Sequence, residues 1–85
     1  MKAYPVLKEA IPLDDYRLVL TFSSNEKRIY DFTPNLRHKF FSSLADIRLF
    51  KSVEVFDGEI EWTTGQDFCP NTLYEQSIPM ETVHI

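Results

Sequence analysis

The sequence predicts a small α+β domain: an antiparallel sheet built from two hairpins and an N-terminal strand, with short helices on one side. Three observations carry the prediction. Residues 16–22, YRLVLTF, alternate so that Tyr16, Leu18, Leu20 and Phe22 point one way and Arg17, Val19 and Thr21 the other, the period of a half-buried strand. Asp57-Gly58 stands between two further alternating runs and suits the two positive-φ positions of a type I′ turn. Cys69-Pro70 precedes NTLYE, where proline fits the first helical position because its missing N–H has no partner there anyway.

A chain of 85 residues accommodates one domain, assigned to residues 1–77 with a C-terminal tail over 78–85. One Trp, four Tyr and seven Phe allow a small core to be built from few side chains, because each ring buries a large area. A single cysteine forms no internal disulfide, and no paired metal-type cysteines occur, so a reducing, cytoplasmic compartment is expected. Residues 1–16, MKAYPVLKEAIPLDDY, lack the apolar run of a signal peptide, and no stretch is long enough to cross a membrane.

The elements follow in order. Pro5 and Pro12 exclude a regular helix at the start, and Pro12 predicts that a first strand ends by residue 11. Asp14-Asp15 reads as a turn into the strand at 16–22. KRIYDF, 27–32, is a second alternating run, joined to the first through SSNE as a hairpin, with Ile29 facing away from Tyr30 and Phe32. TPNL reads as a helical turn with Thr33 as cap and Pro34 at its first position. SSLADIRLF reads as a helix capped by Ser42 or Ser43, with Leu44 and Ile47 on its apolar side. Val53 and Val55 before Asp57-Gly58, and Ile60 and Trp62 after it, form the inner face of the second hairpin; Glu54, Glu59 and Glu61 form its polar face. Thr63-Thr64-Gly65 then leave the strand, Asp67 lies just before the last helix near the positive end of its dipole, and Cys69 is the cap. The expected core is Leu18, Leu20, Phe22, Ile29, Tyr30, Leu44, Ile47, Phe50, Val53, Val55, Ile60, Trp62, Leu73 and Tyr74. SIPMETVHI has no clear period; an extra strand or a loose end both fit it.

The net charge of −4 is unevenly spread. Lys27, Arg28, Arg37, Lys39, Arg48 and Lys51 crowd the middle third, and no Lys or Arg occurs from residue 52 onward, where Glu54, Asp57, Glu59, Glu61, Asp67, Glu75 and Glu81 lie. Such a split steers partners or self-association, or neutralises itself at the surface.

Three chemistries are weighed. A thiolate at Cys69, at a helix N-terminus, has the placement of an activated nucleophile, but it needs a base, and His38 and His84 are the only histidines. Asp67, Cys69 and His84 have the donor types of a zinc site, but not the spacing or the fourth ligand. Arg37, His38 and Lys39 followed by Phe40 and Phe41 combine charge with stacking rings, as a nucleic-acid patch does; a pI near 5.0 opposes that reading. No glycine-rich loop is present to hold a phosphate.

The chain resembles a family of small bacterial domains of unknown function. The resemblance rests on LTFSSNEKRIYDFTP, FFSSLADIRLFKSVEVF and IEWTTGQDFCPNTLY, the last carrying W-x-x-G-x-D-x-x-P-x-x-L-Y through Trp62, Gly65, Asp67, Pro70, Leu73 and Tyr74. It covers about residues 4–77. It departs from the family pattern at Asn25-Glu26, where Asn-Gly is typical, and at Cys69, where Ser is common. The resemblance implies a compact α+β domain. In longer relatives a helix-turn-helix follows, and many short relatives are encoded beside another small protein in toxin–antitoxin-like arrangements. It supplies no catalytic residues.

The expected function is therefore a non-enzymatic protein-binding module, antitoxin-like, with another small protein as partner and self-association as a second option. Candidate partner-binding residues are Glu54, Glu59, Glu61, Arg37, Lys39 and Phe40. No cofactor, metal or membrane partner is expected. The alternatives are a nucleic-acid-associated regulatory domain using the basic middle segment, and a thiol-dependent enzyme at Cys69.

Overall fold

The computed structural model describes residues 4–80. Three strands come first: β1 (Leu7–Pro12), β2 (Arg17–Phe22) and β3 (Lys27–Asp31). Two 3-10 segments follow, Thr33–Arg37 and Lys39–Ala45, then a single-turn helix α1 (Ile47–Phe50). The second half holds β4 (Glu54–Phe56), β5 (Glu59–Glu61), β6 (Asp67–Phe68), helix α2 (Pro70–Gln76) and β7 (Ile78–Pro79). The fold class is α+β, as the sequence predicts. The strands divide into two antiparallel sheets, ordered β1-β2-β3-β7 and β4-β5-β6.

The alternation in β2 is realised: Leu18, Leu20 and Phe22 are buried. β1 extends one residue further than predicted. Pro12 pairs with Leu18 as the last residue of an edge strand, where its missing N–H leaves no gap in a ladder. In the tail, Ile78 and Pro79 pair with Ile29 and Arg28, so the extra-strand reading holds there; residues 81–85, with His84, lie outside the described part.

Helix capping departs from expectation. The segment from Lys39 to Ala45 is 3-10, and α-helix begins only after Asp46, whose side chain accepts the Arg48 N–H at 3.0 Å. A carboxylate satisfies a free helix N–H and meets the dipole's positive end, so Asp46 takes the cap instead of Ser42 or Ser43. Thr33 is likewise no cap; Phe32 precedes the first 3-10 turn without a side-chain hydrogen bond.

The core joins the sheets through aromatic rings. Phe32 is fully buried, with ring centroids of Trp62 at 5.1 Å, Phe41 at 5.3 Å, Phe50 at 5.7 Å and Phe68 at 5.8 Å. Of the expected core residues, Ile47, Val55 and Tyr74 are only partly buried and pack against its margin. Leu7 and Phe32 belong to the core although the sequence reading omitted them.

Candidate functional site: an acidic sheet face beside a cationic segment

The tight hairpin builds the site. Asp57 (φ 55°) and Gly58 (φ 80°) hold the positive-φ pair that a type I′ turn requires. Pairing then sets Glu54 opposite Glu61 and Phe56 opposite Glu59. Because side chains alternate, Val55 and Ile60 turn to the core, while Glu54, Phe56, Glu59 and Glu61 share the outer face.

The chain does not leave the sheet at Thr63. Trp62 and Gln66 close a second tight turn, with the Trp62 N–H on the Gln66 carbonyl at 2.9 Å and Gly65 at φ 95°. This returns the chain as β6, where Asp67 pairs with Glu61. Asp67 is therefore not a helix-end carboxylate; it is the third member of a cross-strand row, Glu54–Glu61–Asp67. Like charges directly opposite one another across a sheet are unfavourable. Among the described residues, none of Glu54, Glu59, Glu61 and Asp67 has an ion-pair partner. Phe56 stands among them at 82% exposure. Beside the row lies a shallow cleft of about 440 Å³, lined in part by Phe56, Glu61, Asp67, Phe68 and Cys69.

The second candidate group, Arg37, Lys39 and Phe40, lies on the 3-10 segments. All three are exposed, Phe40 by 61%, whereas Phe41 packs into the core. Only one of the two rings therefore anchors this segment to the core. The Gln66 side-chain amide donates to the Phe40 carbonyl at 2.9 Å and to the Ser43 hydroxyl at 2.7 Å. The cationic segment is thus fastened to the turn from which Asp67 follows. Two other cations of the basic middle third are paired instead, Arg48 with Asp46 and Lys51 with Asp14.

The remaining signature residues are structural. Trp62 and Leu73 are buried, and Pro70 opens α2. The Tyr74 hydroxyl donates to Glu26 at 2.8 Å, and its ring receives the Arg28 guanidinium at 4.6 Å. Cys69 stands at the N-cap position of α2 and is exposed. The Thr72 amide and hydroxyl lie near enough to its sulfur to pull the thiol below its ordinary range, without forming a cap hydrogen bond of full geometry. His38 lines a separate cleft with Asp31, Asn35 and Gln76, and no described histidine or carboxylate is hydrogen-bonded to the thiol. Among the described residues no group of three or more His, Cys, Asp and Glu is placed to hold a metal ion. No described helix is long and apolar enough to cross a membrane.

Two members of the acidic face escaped sequence reasoning. Phe56 was findable, since it alternates with Val55 and shares Glu54's face. Asp67 was not, because a two-residue strand has no period to read.

No curated protein and no solved structure matches the chain. The model of the family described as Protein of unknown function (DUF2442) matches residues 7–79, from the first residue of β1 to the last of β7. The match spans both sheets, the acidic face and the cationic segment, and the chain belongs to that family.

Proposed function

We propose that the chain is a non-enzymatic protein-binding module whose β4–β5–β6 outer face takes a basic protein surface. One observation carries the reading: Glu54, Glu61 and Asp67 stand in one cross-strand row with no ion-pair partner among the described residues, and Phe56 is exposed beside them. The row has a like-charge cost in the isolated chain that a cationic partner would remove. An exposed ring between the carboxylates adds apolar contact, and the aromatic face attracts a guanidinium or ammonium group. Within this class the antitoxin-like role follows from the resemblance to small domains encoded beside another small protein.

A titration of an Arg- and Lys-rich peptide, followed by calorimetry, tests the surface. Binding at low salt that weakens as salt rises, and is lost in Glu59→Lys/Glu61→Lys, is the expected outcome. Charge reversal that leaves affinity unchanged removes the reading.

A further inference from the structure

We propose that the outer face of the β1-β2-β3-β7 sheet is a self-association surface, on which a second copy packs face to face about a two-fold axis. It lies on the other sheet from the acidic face and does not depend on the reading given to that face.

The strand register draws an apolar row across the whole sheet. Ile11 stands opposite Val19, Val19 opposite Ile29 and Ile29 opposite Ile78, one residue from each of the four strands. Alternation sends Leu18, Leu20 and Tyr30 into the core and these four to the opposite face, and the four stand outside the core cluster. The ends of the row are open, Ile11 at 46% and Ile78 at 51% exposure, while Ile29, between Val19 and Ile78, is buried. The solvated face of an antiparallel sheet ordinarily carries polar side chains at such positions. A contiguous apolar row there marks a contact surface.

The charges beside the row say what covers it. On one flank Arg17 stands opposite Asp31; on the other Glu9, Thr21 and Lys27 share a line. Each flank holds one cation and one anion, so the face as a whole is neutral. It attracts neither a polybasic nor a polyacidic partner, and it lowers the repulsion that a net charge of −4 sets up between copies. The same pattern is self-complementary. A two-fold axis along the strands, between β2 and β3, lays each β2 on the partner's β3 and each β1 on the partner's β7. Val19 then meets the partner's Ile29, Ile11 the partner's Ile78 and Arg17 the partner's Asp31, each contact occurring twice. Arg17 holds Asp15 of its own chain through Nε, and a guanidinium has further N–H donors to offer.

The edges of the sheet oppose the other way for copies to meet. Both edge strands contain a proline, Pro12 in β1 and Pro79 in β7, and proline has no N–H to give to an added strand. The face is small. Four strands about 4.8 Å apart and about five residues long span roughly 300 Å² of plane per copy. A standard interface buries about 800 Å² per partner, so a transient dimer is expected, filling only at high concentration.

Sedimentation equilibrium of the full chain, from micromolar to millimolar concentration, tests the proposal. A monomer–dimer equilibrium is expected. Ile11→Lys/Ile78→Lys is expected to weaken it about tenfold or more, because the dimer would bury the added ammonium groups. Both side chains are half exposed, so this variant keeps its fold, which circular dichroism checks. Arg17→Asp and Asp31→Arg are each expected to weaken association, and an equimolar mixture of the two to associate more tightly than either alone. Glu59→Lys/Glu61→Lys, on the other sheet, is expected to leave the equilibrium unchanged.

A wild-type monomer up to millimolar concentration overturns the second copy and leaves the row to a different partner. A dimer indifferent to Ile11→Lys/Ile78→Lys, or one lost in Glu59→Lys/Glu61→Lys, overturns the assignment to this face. A mixture of the two charge variants that fails to recover association overturns the stated axis. Assemblies that keep growing with concentration overturn the closed dimer.

Discussion

The indole N–H of Trp62 donates to the carbonyl of Phe50, the last residue of α1, at 2.9 Å in the buried core. Its ring packs on Phe32, so one side chain joins the end of β5 to the helix and to the aromatic centre. Trp62→Phe keeps an aromatic ring but leaves the Phe50 carbonyl unpaired. The unpaired carbonyl alone is expected to cost about 1–3 kcal/mol. Urea unfolding followed by circular dichroism checks this, and an unchanged midpoint would show that the hydrogen bond contributes nothing. Burial of Trp62 was legible, because Ile60 and Trp62 alternate inward after the Asp-Gly turn. The centrality of Phe32 was only half legible: the alternation puts it on Tyr30's face, but it ends that run just before a proline-containing turn, and nothing there marks it as the centre of the core. Cys69 was legible as a cap position through Pro70, whereas Asp46 was hidden because Ser42 and Ser43 offered the same chemistry earlier.

At the scale of the element, the three-stranded sheet combines a stable inner face with an unfavourable outer one. Val55, Ile60 and Phe68 pack inward, while Glu61 has a carboxylate-bearing neighbour on either side, Glu54 and Asp67. Each like-charge pair directly opposite opposes the sheet by about 0.2–1 kcal/mol. Glu61→Thr removes both pairs and supplies a β-branched residue, so it is expected to raise the stability of the dilute chain by about 0.5–1 kcal/mol. The gain is largest at low salt and shrinks as salt screens the repulsion. Unfolding of both proteins at two salt concentrations measures it; a destabilised variant, or a gain indifferent to salt, would refute the repulsion. The same substitution is expected to weaken partner binding, the exchange of stability for a binding surface common in functional sites. The hairpin behind this face was readable because only a few residue types accept two successive positive-φ positions. The return of the chain as β6 was not, because Thr63-Thr64-Gly65 serves equally well to leave a sheet or to reverse along it.

Across the whole molecule, the apolar core joins the two sheets and a polar network fastens the C-terminal helix and strand to the first of them. Arg28 of β3 donates to the Ser77 hydroxyl at 2.7 Å, to the Ser77 carbonyl at 2.5 Å and to Glu26 at 2.6 Å. Glu26 also accepts the Tyr74 hydroxyl, and Tyr4 near the N-terminus donates to Glu75 at 2.6 Å. The Tyr74 hydroxyl, then the Arg28 guanidinium, hold the Glu26 carboxyl below its ordinary value of 4.5. A carboxyl whose pKa is lower in the folded chain contributes stability that is complete above the unfolded value. That contribution is lost as pH falls through the folded one. Asp46, held below its ordinary 3.8 chiefly by hydrogen bonds from the Arg48 side chain and amide, acts in the same direction at lower pH. The chain is therefore expected to lose stability from just below pH 5 downward, and Glu26→Gln to flatten the upper part of that decline while Asp46 preserves the lower part. Thermal unfolding of wild type and Glu26→Gln across the acid range decides it: parallel pH profiles would mean that the network does not couple Glu26 to folding. Hydrogen exchange locates the effect, because loss of the Glu26 bonds should free the amides of α2 and β7 before those of β2. The acidic outer face lies on the other sheet, so Glu26→Gln alters this network and leaves the Glu54–Glu61–Asp67 row as it is.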